Sequence, residues 1–253
     1  MTQARALSLV SLLLGGSLLC SSVHASETHV FAYAVDLREL ARIPGSKDKG
    51  LLRRVMTAQK NLLDDVNKRY YREPSTLITA EQALSDIVEG NLRNGYGYEY
   101  RCVIEPLLEV VGQRLEDKTS RRSLWFNLDF WLDDFRPVMK QLGLALLEDR
   151  WDREVLPFPL PDDADPWPRV SHLTSKEVSE TLAAFRRADL NQIKKLDKKL
   201  FTEKTQEDDV SLEDLRATMK ENLLELRRWL EVVEARKGDS ESLGLVLIFD
   251  GDR

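Results

Sequence analysis

Apolar residues along this chain follow two rhythms. Near both ends they come in short unbroken runs rich in β-branched and aromatic side chains. Between those runs they return every three or four positions, with charges in the gaps. Unbroken runs of this length predict strands, and the three-to-four spacing predicts helices with one buried stripe. Residues 30–35 (Val-Phe-Ala-Tyr-Ala-Val) are the first such strand. Residues 245–249 are apolar throughout, as a strand buried on both faces is. Leu144-Ala145-Leu146-Leu147 predicts a short buried strand in the middle, so a small sheet is seeded by residues 30–35, 144–148 and 245–249.

Helix signals fill the intervals. Asp36 caps a short helix that stops at Pro44-Gly45. Ser46 caps a longer one, with Leu51, Leu52, Val55, Leu62, Leu63 and Val66 on its stripe. Thr79 with Gln82, and Thr174 with Glu177, form capping boxes: the hydroxyl takes the amide three residues on, and the Gln or Glu reaches back. Gly90, Gly95 and Gly97 interrupt the pattern around Tyr96, Tyr98 and Tyr100. A helix then resumes through Ile104, Leu107, Leu108 and Val111, with Pro106 tolerated in its first turn. Leu124 to Leu142 predicts the most aromatic helix, striped by Trp125, Leu128, Trp131, Leu132 and Phe135 and closed by Gly143. The proline-rich residues 155–168 read as an ordered surface crossing, and Lys194 to Asp209 as a solvated charge run. Ser211 caps a last helix whose register breaks at Asn222, which favours packing within the chain over a coiled coil. The sum is a helix-rich α+β domain: about three strands packed with five or six helices, the tail strand pairing near the first.

Composition changes the picture at the front of the chain. Arg5, fifteen uncharged residues from Ala6 to Cys20, and Val23-His24-Ala25 have the layout of a secretory signal cleaved after Ala25. The apolar core is shorter than the roughly 20 residues of an anchor and is interrupted by Gly15-Gly16. Leu19 ahead of Cys20 argues against lipid attachment. The expectation is therefore a signal peptide over 1–25 and a single globular domain over 26–253 in the periplasm or medium, without a membrane anchor after processing. The alternative is a cytoplasmic protein with a misassigned start codon.

Arg5 is the leader's one charge. Its removal turns 37 basic and 43 acidic residues, net −6, into 36 and 43, net −7. That balance argues against nucleic acid and anionic headgroups, and it would suit a basic protein partner. Cys102 alone survives processing, so no intrachain disulfide is expected, and the thiol reads as a small buried hydrophobe.

Several of these segments resemble a bacterial family classed as a domain of unknown function. Its Y-x-V-D-L opening strand is matched by Tyr33-Ala34-Val35-Asp36-Leu37, and its Gly-Ser-x-Asp step into a helix by Gly45-Ser46-Lys47-Asp48. The tyrosine-rich centre is similar to residues 95–100, the aromatic Trp-Leu helix to Trp131-Leu132. The P-x-P segment and following helix start are similar to Pro159-Leu160-Pro161 and His172-Leu173-Thr174. The resemblance implies one domain and no catalytic residues. Its members open almost at the first strand, so the leader is a departure.

Chemistry is sparse. Only His29 and His172 remain after processing, and neither has ligand spacing to a Cys or carboxylate, so no metal or other cofactor is expected. A Ser-His-Asp site would need His172 and lacks a G-x-S-x-G elbow. Gly95-Tyr96-Gly97 is too short for a phosphate loop and has no lysine. The remaining candidate is an aromatic–carboxylate patch of Tyr96, Tyr98, Glu99, Trp125, Asp129, Trp131, Asp133 and Asp134. Paired carboxylates beside aromatic platforms are what glycoside cleavage requires. On a helix, however, Trp125 and Trp131 fall on the core stripe and the aspartates on the far side, as in any amphipathic helix. Two readings result: a non-enzymatic exported binding domain, or a hydrolase of envelope or extracellular glycans.

Overall fold

The structure is a computed structural model that describes residues 28–69, 77–115, 124–126, 137–144, 156–161, 168–196, 211–238 and 240–250. Strand β1 (Thr28–Asp36) alternates between two faces. Val30, Ala32 and Ala34 join one apolar core, while Phe31, Tyr33 and Val35 join another. Strand β5 (Leu243–Asp250) runs antiparallel beside it along its whole length, from His29 opposite Asp250 to Asp36 opposite Leu243. It divides the same way, with Leu245 and Leu247 to one core and Val246 and Ile248 to the other. Its unbroken apolar run is thus explained by burial on both faces.

Five antiparallel strands form the sheet. Strand β4 (Arg169–Leu173) flanks β5. On the other side β1 is bordered at one end by β2 (Gln113–Arg114) and at the other by β3 (Leu124–Phe126). One core is covered by helices α1 (Leu37–Ala41), α2 (Lys49–Ala58), α3 (Lys60–Arg69), α4 (Ala80–Glu89), α5 (Gly97–Cys102) and α6 (Ile104–Val111). The other is covered by α7 (Ser175–Arg187), a 3₁₀ turn over Leu190–Lys195, and α8 (Leu212–Ala235). This is the helix-rich α+β fold, in three layers, with five strands where about three were expected.

The capping boxes at Thr79–Gln82 and Thr174–Glu177 are both formed, and Ser211 caps α8. Met219, Leu223, Leu226, Trp229, Leu230 and Val233 bury the inner stripe of α8 within its own chain.

Five expectations change. The one helix expected from Ser46 through Val66 is two, α2 and α3, parted by a turn at Gln59. The helix expected over Leu124 to Leu142 is not continuous, because residues 124–126 are β3. Residues 28–30 of β1 would otherwise leave a row of backbone donors and acceptors unpaired, and a three-residue apolar run serves as readily for a strand as for a helix. Its far end is helical over 137–141. There Gly143 takes a left-handed φ of 74°, and the Leu144 amide donates back to the Met139 carbonyl, a Schellman closure. The middle strand is not formed at Leu144, which is buried but irregular, and residues 145–148 lie outside the described set. The cap of α2 is Asp48, whose carboxylate accepts from the Leu51 amide, while Ser46 Oγ accepts from the Asp48 amide. Finally, His172-Leu173, expected only to lead into a helix, belongs to β4.

Candidate functional site

Helix α6 is almost wholly apolar, yet it carries Glu105 and Glu109 four residues apart and therefore on one face. That face meets β1 and β2. The Tyr33 hydroxyl donates to Glu109 Oε1 at 2.9 Å, and Arg114 Nη1 donates to the same oxygen at 2.9 Å. Arg114 also stands 3.6 Å from Glu105 and lies over the Phe31 ring, 4.5 Å from its centroid. One guanidinium thus serves two carboxylates whose side chains are 6% and 9% exposed. Sequence reasoning missed this cluster. The available signal was a pair of acids inside a hydrophobic helix, where an uncompensated charge is costly, followed by an arginine.

Burial pushes the Tyr33 hydroxyl far above the ordinary tyrosine range. Glu105 and Glu109 add to the shift and Arg114 opposes it. A raised phenol stabilises the fold fully below the unfolded pKa of about 10, and that contribution falls away at higher pH as the unfolded chain ionises. Tyr33→Phe is expected to cost about 1.5 kcal/mol at neutral pH by removing a hydrogen bond to a charged acceptor. It should also flatten the loss of stability between about pH 9 and 11. Urea melts across that range check both effects, and an unchanged alkaline slope would contradict the assignment.

Beside this cluster Arg69, Arg101, Cys102, Glu105, Pro168 and Ile248 line a recess of about 250 Å³, counted with the solvent at its mouth. Most of that volume is open solvent, and the enclosed part has room for about one water, far below the roughly 300–1,000 Å³ of a small-molecule site. Cys102 is half-buried here, more exposed than a core hydrophobe.

Asp36, the last residue of the Y-x-V-D-L strand, is a second node. Its carboxylate accepts from the Arg38 and Glu39 amides, capping α1, and from the Ser240 and Ser242 hydroxyls at the approach to β5. Burial alone would raise its pKa, but these four donors outweigh it and hold the carboxyl at about 2. A depressed carboxyl stabilises the fold above the unfolded value of about 4 and loses that effect as pH falls towards 2. Asp36→Ala is expected to cost about 2 kcal/mol at pH 7 and to flatten the acid limb of stability, as read by thermal melts between about pH 2 and 5.

The aromatic–carboxylate patch is not assembled among the described residues. Glu99 is fully buried in α5, and Tyr98 is buried beside it. Half-buried Tyr96 carries the Arg93 guanidinium 4.7 Å from its ring centre. The Tyr100 hydroxyl accepts from the Arg93 amide and donates to Asp86, which also accepts Arg93 Nη2 at 2.7 Å. The tyrosine-rich turn therefore clasps the α4–α5 loop instead of presenting an open platform. Trp125 sits on β3, opposite His29. Asp129, Trp131, Asp133 and Asp134 lie outside the described residues.

A serine–lysine contact joins the other helical layer. Ser179 Oγ donates to Glu234 Oε2 at 2.8 Å and accepts from Lys237 Nζ. Lys237 is itself 2.8 Å from that carboxylate. Burial would raise the Glu234 carboxyl, but the Lys237 ammonium and the Ser179 hydroxyl beside it hold it below the ordinary carboxylate range. The trio fastens α7 to α8. Among the described residues no three His, Cys, Asp or Glu side chains gather as a metal site would require, and no helix is long and apolar enough to cross a membrane.

The family model described as Domain of unknown function (DUF7691) covers residues 27–249. No curated protein and no solved structure matches the chain. The chain belongs to the DUF7691 family.

Proposed function

We propose that this member of the DUF7691 family is an exported, non-enzymatic binding domain, one whose acidic surface meets a basic protein partner. The observation that carries the reading is the use of half-buried acids between elements. Glu109 is held by Tyr33 and Arg114, Asp86 by Arg93 and Tyr100, and Asp36 by four donors. These carboxylates are committed to holding elements together, which leaves the surface charge for recognition. The net charge of −6 gives that surface its sign. Export is supported by the leader's layout, with its basic start, short apolar core and small residues before Ser26.

Fractionation of the native host, with N-terminal sequencing of the protein, tests the address. Ser26 as the first residue, in periplasm or medium, is the expected result, and a chain starting at Met1 in the cytosol contradicts it. Residues 26–253 immobilised on a column should then retain a basic polypeptide from the same fraction and release it by about 0.5 M salt, where charge contacts are screened. Retention that survives such salt contradicts the charge-based reading.

A further inference from the structure

We propose that the exposed face of α2, with the loop before it, is a docking surface for an acidic segment of a partner protein. Residues 38–69 hold nine lysines and arginines against four aspartates and glutamates, in a chain whose net charge is −6. Some of these cations are used internally: Arg42 pairs with Glu39, Lys60 with Asp64 and Lys68 with Asp65. Lys47, Lys49, Arg53 and Arg54 are exposed and make no side-chain hydrogen bond or ion pair with any described residue, and Arg38 on α1 is alike.

Folding gives no reason for cations at these positions, and three local terms oppose them. Lys47 has φ 56°, in the left-handed region that side chains avoid, and is the one such non-glycine among the described residues. Lys49 occupies the first helical position of α2, at the positive end of the helix dipole, where the Asp48 cap is the one negative charge and the first turn itself holds no acid. Helices α4, α7 and α8 each carry glutamate there. Lys49 and Arg53, four apart on one helix face, repel. Residues that break local rules without structural compensation mark function.

The backbone beneath is firmly held, so the cations are presented on a fixed base. The Gly45 and Lys47 amides donate to the Ile87 and Val88 carbonyls at the end of α4. A Cβ on Gly90 would lie 2.9 Å from the Gly45 Cα.

The footprint decides the partner. Lys49 to Arg54 rises about 8 Å along the helix. Lys49 and Arg53 stand about 6 Å apart, close to the roughly 7 Å between same-side residues of an extended chain. A segment with acids at alternate positions fits that spacing. A bilayer or a nucleic acid would reach well past it and bring the rest of a net-acidic chain against a second anionic surface. This face is opposite in sign to the one that would meet a basic partner, so either proposal stands if the other fails.

The probe is a labelled peptide of about ten residues alternating Glu and Ser, titrated by fluorescence anisotropy with residues 26–253 in about 50 mM salt. Binding is expected, lost by about 0.5 M salt. It should weaken about tenfold in Lys49→Glu/Arg53→Glu and stay within about twofold in Lys60→Ala/Lys68→Ala, whose cations are already paired. Lys47→Gly removes both the strain and a charge, so it should weaken binding while leaving Tm unchanged or higher. Absence of binding, or equal loss in the two double variants, overturns the proposal. So does tighter binding to phosphatidylglycerol vesicles that the Lys49→Glu/Arg53→Glu change abolishes, which would assign the face to membranes.

Discussion

Arg114→Met is expected to destabilise the protein by about 3–5 kcal/mol, the usual consequence of removing one partner from a buried ionic cluster. The methionine fills much of the volume over Phe31, so the loss is electrostatic. Glu105 and Glu109 keep their burial and lose the guanidinium that stands 3.6 and 2.9 Å from them. Adding Glu105→Gln and Glu109→Gln should restore a large part of the loss, because neutral amides leave no buried charge uncompensated. Arg42→Met is the surface control. Its pair with Glu39 is more than two-thirds exposed on both sides, and breaking it should cost under about 1 kcal/mol. Urea melts of the four proteins decide the matter. Equal effects at Arg114 and Arg42 would show that the buried cluster is not a structural node.

Gly244→Ala is expected to cost about 3 kcal/mol, or roughly 10 °C of Tm in a domain of this size. Gly244 lies in β5 opposite Val35 of β1. A Cβ there would come within 2.5 Å of the Leu173 carbonyl oxygen and of Leu37 Cδ1. The leucine can rotate away, but the carbonyl is backbone of β4 and can retreat only by opening the sheet. Gly238→Ala, with nothing within 4 Å of the added methyl, is the matched control and should leave Tm within about 1 °C. A tolerated Gly244→Ala would mean that β4 and β5 are not packed as closely as described.

Much of the frame can be read along the chain because its signals are local. The caps at Asp36, Thr79, Thr174 and Ser211 each involve residues two or three apart, and β1 and β5 announce themselves by continuous apolar runs. Strand β3 could not be read this way. Its pairing to residues 28–30 joins segments almost a hundred residues apart, and Trp125 fits a helical stripe equally well. Strand β4 is hidden by its polar Arg169, Ser171 and His172 and by the capping box that follows. The ionic cluster's acids left a local signal in α6, but its link to β1 was hidden for the same reason as β3: Tyr33 and Glu109 are 76 positions apart. Glu99 shows the converse. A glutamate among tyrosines has the composition of a sugar site, but the turn of α5 encloses it completely.

The central claim, recognition without turnover, is tested most directly by incubating residues 26–253 with isolated cell-wall glycan and measuring the release of reducing ends, alongside binding of a lysine-rich peptide. The account predicts release no faster than in buffer, and peptide binding lost by about 0.5 M salt. Release that persists in the purified protein and disappears in Asp129→Asn or Asp134→Asn would contradict it and make the chain a glycan hydrolase.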